Sequence, residues 1–455
     1  MNGRLRQLLF GRFARDTAAT QVSLGISTLC ALGASVILWR GLGKTGYGDY
    51  ALVFALYGMI NVLNDLAFGK VSTSLIAKAR GAGDRPTTTA QVAYALKMTV
   101  LAGAAVTLIG LVIAPFAAVF YGNTAFGPYA MLLFLAGIGG FGRSFTSTVL
   151  AGVRRMWTLA AFEAAFGALR LAAIGGAMAA GLGLGGVIGA HVTATFALTL
   201  AGLVVYRKLA REIGLPRLGR LAREAVRVPW WPTFRIVAPI ALDRQLLRLV
   251  QSVPVLLLGK LTGSTQPGGY YHLGWSIVIN LGLGFAGLAR NLLPFFAELR
   301  GKEQHDRLRR NYRRSVVVAG LAGVVVAGVC VPLLPPVLRF LYGEGREAIA
   351  AVAYALLPVL VVDGFCIGVS AFIVITERGW WAVRLKLALL VPGLGALVGL
   401  TLAGRALWSD GLLGAAIGAA AAYTVWWAAL SLYQLAVSFR ALDERATPAP
   451  PDASP

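Results

Sequence analysis

The sequence predicts an all-α integral membrane protein with twelve transmembrane helices arranged as two six-helix lobes. Three observations carry this prediction. The chain of 455 residues is 57% hydrophobic and only 13% charged, with a mean hydropathy of +0.72, which excludes an ordinary soluble domain. It contains twelve apolar runs of a length that can cross a bilayer, which is about 20 residues. Short motifs also recur between its two halves, at offsets of 216 to 223 residues.

The first apolar run, Ala18–Trp39, contains no charged residue and leads directly into the sequence Arg-Gly-Leu-Gly-Lys-Thr-Gly-Tyr-Gly-Asp-Tyr at positions 40–50. The glycines of this segment predict a helix break and a tight turn into the second apolar run. Ten further runs follow along the chain. The predicted spans are 18–40, 51–69, 92–114, 128–150, 157–179, 184–206, 236–258, 271–294, 315–338, 348–375, 380–403 and 411–437.

Positively charged residues divide unevenly between the two sides of this arrangement. Of the 42 lysine and arginine residues, 32 fall on the side of the two termini, six on the other side and four within spans. Because lysine and arginine accumulate on the cytoplasmic side of a membrane protein, both termini are predicted to be cytoplasmic. The net charge of +23 is dispersed between apolar runs, so membrane lipids are expected as partners and nucleic acid is not.

The domain organisation follows from the longest basic segment, 207–235, which contains Pro216 and Pro229 and separates six spans from six. The residues after Ala446 are rich in proline and cannot bury a core. We therefore predict an N-terminal lobe at 1–206, a basic cytoplasmic linker at 207–235, a C-terminal lobe at 236–437 and a disordered cytoplasmic tail at 438–455.

Four motif pairs support an internal repeat. Each is weak alone, but they occur in the same order and at equivalent places relative to the spans. Because each half has an even number of spans, both halves have the same orientation, related by a pseudo-two-fold axis along the membrane normal. Such parallel repeats are typical of transporters that hold substrate between two lobes. The pairs are Leu42-Gly43-Lys44 with Leu258-Gly259-Lys260, Gly48-Asp49-Tyr50 with Gly269-Tyr270-Tyr271, Phe120-Tyr121-Gly122 with Leu341-Tyr342-Gly343, and Arg155-Met156-Trp157 with Arg378-Gly379-Trp380.

These twelve spans in two halves, with the signature at 40–50, the Leu-Tyr-Gly at 341–343 and the aromatic turn at 155–157, resemble the polysaccharide-transport branch of the multidrug/oligosaccharidyl-lipid/polysaccharide (MOP) exporter superfamily. The resemblance covers nearly the whole chain. It implies a MATE-like fold and a flippase that moves an undecaprenyl-pyrophosphate-linked oligosaccharide from the cytoplasmic to the periplasmic leaflet of the bacterial inner membrane by alternating access. The product would be a surface polysaccharide (O-antigen of lipopolysaccharide, capsule or exopolysaccharide), and polymerase or export proteins would be partners.

Ionisable residues within membrane spans are costly and usually functional, so they are the candidate site residues. Predicted span 7 carries Asp243, Arg244, Arg248 and Gln251. The two arginines lie one turn apart on one helix face, where their guanidinium groups can bind a pyrophosphate bidentately. As alternatives, Asp243 and residues of other helices neutralise them, or the arginines extend to the cytoplasmic surface.

Four further candidates for substrate binding lie in spans 3, 5 and 8. Glu163 and Arg170 are two turns apart on span 5, where they either pair with each other or other helices, or contribute to the substrate cavity. Lys97 and Arg290 lie near the cytoplasmic ends of spans 3 and 8. These two side chains either contact the substrate or extend to the membrane surface.

Three residues, Asp65, Asp363 and His191, are candidates for ion coupling. The carboxylates can carry a proton or bind sodium, and the histidine can titrate near neutral pH. Pairing with an arginine, or packing in the case of the histidine, is the alternative. No catalytic residue, cofactor site or metal site is predicted, because the chain contains no Asp-x-Asp, P-loop, zinc motif or catalytic triad and its predicted outer loops are short. An enzyme is therefore not expected.

Other functions stay open at this stage. A multidrug or cation antiporter and a peptidoglycan-precursor flippase belong to the same superfamily, and a scaffold for polysaccharide assembly is a third alternative. The arginine pair argues against export of cationic drugs, which would prefer carboxylates in the cavity. The peptidoglycan relatives usually have fourteen spans, whereas twelve are predicted here.

Overall fold

The computed structural model describes residues 12–65, 68–301, 304–343, 346–375 and 379–444. All regular secondary structure in these ranges is helical, which confirms the all-α fold class. A 3₁₀ turn at Val62–Asp65 follows the first helix. The helices are α1 (Arg12–Asn61), α2 (Phe68–Gly81), α3 (Arg85–Tyr121), α4 (Phe126–Gly139), α5 (Phe141–Gly152), α6 (Met156–Ala179), α7 (Gly183–Ile213), α8 (Leu218–Arg227), α9 (Trp231–Thr262), α10 (Gln266–Gly301), α11 (His305–Tyr342), α12 (Arg346–Leu356), α13 (Pro358–Phe365), α14 (Val369–Ile375), α15 (Gly379–Ala388), α16 (Leu390–Leu407) and α17 (Gly411–Glu444).

The predicted spans coincide, within the described ranges, with one helix or with consecutive helices. Eight helical stretches of the described residues are long and apolar enough to cross a membrane, so the chain is a multi-pass membrane protein. One of these stretches, Ala18–Asn64, contains the first predicted span and most of the second. Predicted span 4 is divided between α4 and α5, and neither is long enough to cross alone. The count of twelve crossings therefore stays a prediction.

The helix break predicted after the first span lies at Gly43. This residue has φ 70° and ψ −177° inside the otherwise helical α1, a combination that is essentially restricted to glycine. Five residues later, Gly48 packs against the backbone of Thr265, so that a Cβ at this position would overlap the Thr265 carbonyl oxygen. An ideal Cβ on Gly269, the repeat counterpart of Gly48, would lie 3.2 Å from the Gly48 Cα. The recurring glycines therefore let the two motif segments touch backbone to backbone.

Contacts between helices divide the chain into two compact units, Met1–Gly269 and Tyr270–Pro455. In the first unit α1 packs along α6 and α9, α3 packs along α4, and α7 packs against α5 and α6. Helix α9 thus belongs to the first compact unit, although the sequence repeat places it in the predicted C-terminal lobe. The lobe boundaries at 206 and 236 were set from the sequence repeat, whereas the two units are defined by contacts between helices. The lobe boundaries therefore stay a prediction.

Helix α3 carries an apolar stripe that none of the described residues of its unit covers. Leu108, Val112, Phe116 and Val119 recur every three or four residues and are between 62% and 84% exposed. Contiguous apolar surface of this kind is unstable in water, whereas hydrocarbon chains solvate it. The stripe is the lipid-facing side of the helix.

The segment predicted as a linker, 207–235, is largely helical. α7 continues through Ile213, α8 occupies Leu218–Arg227, and α9 begins at Trp231. Leu221 and Ala225 of α8 are buried in an apolar core that also contains Tyr206. The segment is therefore a docked helix between two long helices.

In the second unit α16 packs along α17, and α11 packs along α13. The disordered tail was predicted to begin at 438, and this boundary is wrong because α17 continues through Glu444. The physical reason is burial: the Ser438 hydroxyl lies 2.5 Å from that of Tyr312, and Ala441 is 3% exposed in the same core. The remainder of the predicted tail lies outside the described residues.

Candidate functional site

Glu163 on α6 forms an ion pair with Arg143 on α5. Arg143 Nη2 donates to Glu163 Oε2 at 2.7 Å, and the Ser147 hydroxyl donates to Oε1 at 2.6 Å. The Arg143 guanidinium also lies over the ring of Phe166, 3.8 Å from its centroid. Both charged side chains are about two-thirds buried or more, at 34% and 26% exposure. The described partner of Glu163 is therefore Arg143, a residue that the charge count assigned to the cytoplasmic side, rather than Arg170.

Arg170 lies on α6, two turns beyond Glu163. Its Nη2 lies 3.4 Å from the hydroxyl of Tyr50, the last residue of the signature. Its Nε is buried and makes no hydrogen bond to any described residue. Because a guanidinium offers five donors in a fixed fork, Arg170 retains donors that can bind the oxygens of a ligand.

His191 on α7 lies near both arginines. Its ring packs edge-on against Phe54 with the centroids 5.1 Å apart, and its Nδ1 is buried without a hydrogen bond to the described residues. Arg170 and Arg143 are close enough to interact electrostatically with His191 and with Tyr57. Two neighbouring positive charges oppose the binding of a cation at this histidine, which weakens its proposed role in ion coupling.

These side chains converge from four helices of the first unit. We define the arginine cluster by the two arginines, one carboxylate, one imidazole and two tyrosines that form it. With the histidine neutral, its formal charge is +1. An excess of positive charge among membrane helices attracts an anion, and the tyrosines and histidine add hydrogen-bonding groups beside it. The members are Tyr50, Tyr57, Arg143, Glu163, Arg170 and His191.

Lys97 is engaged elsewhere. Its Nζ donates to the carbonyl oxygens of Val226 at 3.3 Å and Val228 at 2.9 Å. The last carbonyls of a helix lack intrahelical partners and carry the negative end of the helix dipole. Lys97 therefore caps the C-terminal end of α8, a role that neither sequence alternative described.

The predicted cluster of span 7 is only partly described. On α9, Arg248 is exposed and Gln251 is half-buried, whereas the side chains of Asp243 and Arg244 lie outside the described part of the chain. The neighbouring Gln245 is 6% exposed, and neither atom of its amide has a hydrogen-bond partner among the described residues. The arginine pair of span 7 stays a prediction, and Gln245 is an additional buried polar group beside it.

Asp363, the candidate carboxylate of span 10, lies on α13 in the second unit. Its Oδ1 accepts a hydrogen bond from Trp427 Nε1 at 2.7 Å, and the indole stacks on Tyr423 with the ring centroids 6.3 Å apart. Its role in ion coupling stays a prediction.

The side chains of Asp65 and Arg290 lie outside the described residues. Within the described ranges, no group of three or more histidine, cysteine, aspartate or glutamate side chains could hold a metal ion.

Sequence reasoning missed four members or neighbours of the arginine cluster. Arg143 and Ser147 lie within predicted span 4, so the argument that singled out other intramembrane charges could have found the arginine. Tyr50 was attributed to the signature turn, and Tyr57 carried no distinguishing pattern. The polar contacts of these residues depend on which helix faces meet, and spacing along one helix does not report that.

A model of the polysaccharide biosynthesis protein family matches residues 13–300, well over half of the chain. The chain belongs to the polysaccharide biosynthesis protein family. The matched range of this family member contains the signature at 40–50 and every residue of the arginine cluster. None of the curated proteins compared matches it in sequence.

Solved structures of MOP superfamily transporters share the fold of this family member. An inward-facing multidrug resistance MATE family transporter has a TM-score of 0.69 at 18% identity, covering 94% of this chain and 100% of that one. An outward-facing structure of such a transporter has a TM-score of 0.69 at 17% identity, with 95% and 96% covered. A MOP superfamily transporter from Pyrococcus furiosus, described as having a binding pocket of reverse polarity, has a TM-score of 0.68 at 16% identity, with 95% and 96% covered. The predicted MATE-like fold is confirmed.

Proposed function

We propose that this polysaccharide biosynthesis protein is a flippase that moves an undecaprenyl-pyrophosphate-linked oligosaccharide from the cytoplasmic to the periplasmic leaflet of the bacterial inner membrane. The observation that carries the proposal is the arginine cluster, a net positive site among membrane helices in a member of this family. Lobe rearrangement with alternating access would re-expose the headgroup on the other side. The lipid-linked product would then serve assembly of O-antigen, capsule or exopolysaccharide by polymerase and export proteins.

The chemistry of the cluster suits a pyrophosphate. Arg170 has a buried Nε without a hydrogen bond to the described residues, and guanidinium donors match phosphate oxygens in geometry. Arg143 adds positive charge, although Glu163 neutralises part of it. Hydroxyl and imidazole groups nearby can bind sugar hydroxyls, and the prenyl chain can stay in lipid. The predicted arginine pair of α9, Arg244 and Arg248, is a second candidate for binding the pyrophosphate.

The charge of the site also separates this proposal from export of cationic drugs. Because the cluster contains two arginines and one glutamate, its net positive charge repels a cation that enters it. An antiporter for organic cations therefore fits the site less well. A peptidoglycan-precursor flippase would use the same pyrophosphate chemistry. The identity of the transported sugar distinguishes it from the proposed function.

The test is a leaflet-specific transport measurement. The full chain is reconstituted in liposomes that carry a fluorescent undecaprenyl-pyrophosphate oligosaccharide, and protection of the fluorophore from an external quencher reports movement. Arg170→Gln and the double variant Arg244→Ala with Arg248→Ala are compared with the wild-type chain. Loss of one charge-assisted hydrogen bond to the pyrophosphate is expected to slow movement by about tenfold or more, because such a bond contributes about 1.5–3 kcal/mol.

A matched control removes two charges far from the cluster in sequence. Arg310 and Arg314 are both exposed on α11 and one turn apart, and their replacement by glutamine should leave the rate unchanged. Equal loss in control and site variants would contradict the anion site. Efflux of organic cations without movement of several lipid-linked oligosaccharides would refute the flippase, and preference for a peptidoglycan precursor would reassign its substrate.

A further inference from the structure

The short helix α8 is held against the first unit at both of its ends and along one face. Leu221 and Ala225 are 0% and 7% exposed in the core beneath it. Before the helix, the Tyr206 hydroxyl donates to the carbonyl oxygen of Pro216 at 2.8 Å. After it, Lys97 donates to two carbonyls as described above. The orientation of α8 on the unit is therefore fixed by packing and by hydrogen bonds to its flanking backbone.

This fixed orientation directs a row of arginines outward. Arg220, Arg223 and Arg227 are all exposed, and a spacing of three and then four residues places them on one helix face. Between positions 207 and 231 the chain carries seven lysine or arginine residues and two glutamates. The outer face of α8 is therefore a rigid and strongly positive surface.

Two tryptophans indicate the level of this surface relative to the bilayer. Trp230 and Trp231, which come three and four residues after the end of the helix, are 43% and 57% exposed and pack edge to face with their centroids 5.3 Å apart. Tryptophan side chains concentrate at the membrane–water interface, where the indole contacts both acyl chains and headgroups. The arginine row consequently lies at the depth of the phosphate groups.

We propose that the outer face of α8 is a binding surface for the headgroups of anionic phospholipids in the leaflet beside it. An excess of positive charge in a loop is sufficient to orient a membrane protein and requires no docked helix. A helix that is packed along one face, capped at its C-terminal end and anchored just before its first residue adds a preorganised array of guanidinium groups, which matches phosphodiester oxygens in charge and geometry. This inference does not rest on the proposed transport function.

The experiment measures lipid selectivity on the purified full chain. The protein is exchanged into detergent with equal amounts of phosphatidylglycerol and phosphatidylcholine and no lipid-linked oligosaccharide, and the lipids retained are counted by native mass spectrometry. The wild-type chain should retain phosphatidylglycerol preferentially. The variant with Arg220→Gln, Arg223→Gln and Arg227→Gln should reduce this preference about fivefold or more, since a single basic residue near an anionic surface has an effect of about that size.

The chain provides a matched control for the loss of three charges. Arg307, Arg310 and Arg314 on α11 are exposed and have the same spacing as the arginine row. Their replacement by glutamine should leave most of the preference intact. Equal losses of lipid preference in the two triple variants would overturn the proposal. Absence of a phosphatidylglycerol preference in the wild-type chain would also overturn it, and that result is expected if the surface binds an acidic protein instead.

A further variant separates the orientation of α8 from its charge. Lys97→Met keeps every arginine of the row but removes the bonds that hold the end of the helix. A preorganised surface predicts that this variant loses part of the lipid preference while circular dichroism and size-exclusion behaviour stay as in the wild-type chain. Full retention of the preference would show that the docked geometry is irrelevant.

Discussion

Glu163→Gln removes the carboxylate of the arginine cluster and keeps the shape of the side chain. At about 4 Å between charge centres and an effective dielectric constant of about 20, the attraction to Arg143 is about 4 kcal/mol. Removal of both ions from water offsets much of this attraction. Because the side chains are still 34% and 26% exposed, solvent screens the pair further. We expect a net coupling free energy of about 1–2 kcal/mol.

The assay is a double-mutant cycle on the free energy of unfolding. Wild type, Glu163→Gln, Arg143→Gln and the double variant are unfolded by sodium dodecyl sulfate in mixed micelles, with circular dichroism as the signal. The pair Arg155–Glu212 is a matched control, because its atoms are 3.5 Å apart and its side chains 50% and 43% exposed. Its coupling should stay below about 0.5 kcal/mol. Equal coupling in the two cycles, or coupling below about 0.3 kcal/mol at Glu163, would refute the reasoning.

Three further predictions concern the backbone of the first unit. Gly48→Ala forces a Cβ onto Thr265 and should cost about 1–3 kcal/mol in unfolding free energy, whereas Gly25→Ala on the same helix meets nothing within 4 Å and should be neutral or stabilising. Tyr206→Phe should cost about 0.5–1.5 kcal/mol by the same unfolding assay, through loss of its hydrogen bond. Asp84 caps α3, and hydrogen bonds from Thr87 lower the pKa of its carboxyl below 3.8. The stabilisation of the first turn of α3 by the ionised Asp84 carboxylate should therefore be complete at pH 7 and decline as the pH falls through that lowered pKa. Amide exchange of the first turn of α3 in Asp84→Ala and wild type should accordingly differ at pH 7 and converge in acid.

The fold was predictable because apolar length and glycine placement act locally. The run 18–40 and the glycine-rich segment after it were sufficient to predict a long apolar helix and a break beyond it, which the structure places at Gly43. The helix within the predicted linker was not predicted, because the burial of Leu221 depends on contacts with residues distant in sequence, such as Ile76, Val92 and Phe145. Proline at 216 and 229 marks the ends of α8 rather than an irregular segment.

The candidate site was predictable only in part. The cost of ionisable residues in a membrane drew attention to Glu163, Arg170 and His191, and the structure places these three residues in one cluster. That argument could not predict that Glu163 pairs with Arg143, because the contact depends on which faces of α5 and α6 meet. It also could not predict Lys97 as a cap, since the carbonyls it binds lie about 130 positions further along the chain.

The anchoring of α8 also affects how the sidedness of this protein can be measured. Trypsin cleaves after arginine where the backbone is exposed and can become extended, as it does in mobile loops. The four arginine sites between Arg217 and Arg227 instead lie in or next to a helix whose opening would require loss of the Leu221 contacts and of the three anchoring hydrogen bonds from Lys97 and Tyr206. Resistance of this segment to added protease would therefore report local folding. If that resistance were interpreted as protection by the bilayer, a segment on the same side as the protease would be assigned to the opposite side of the membrane.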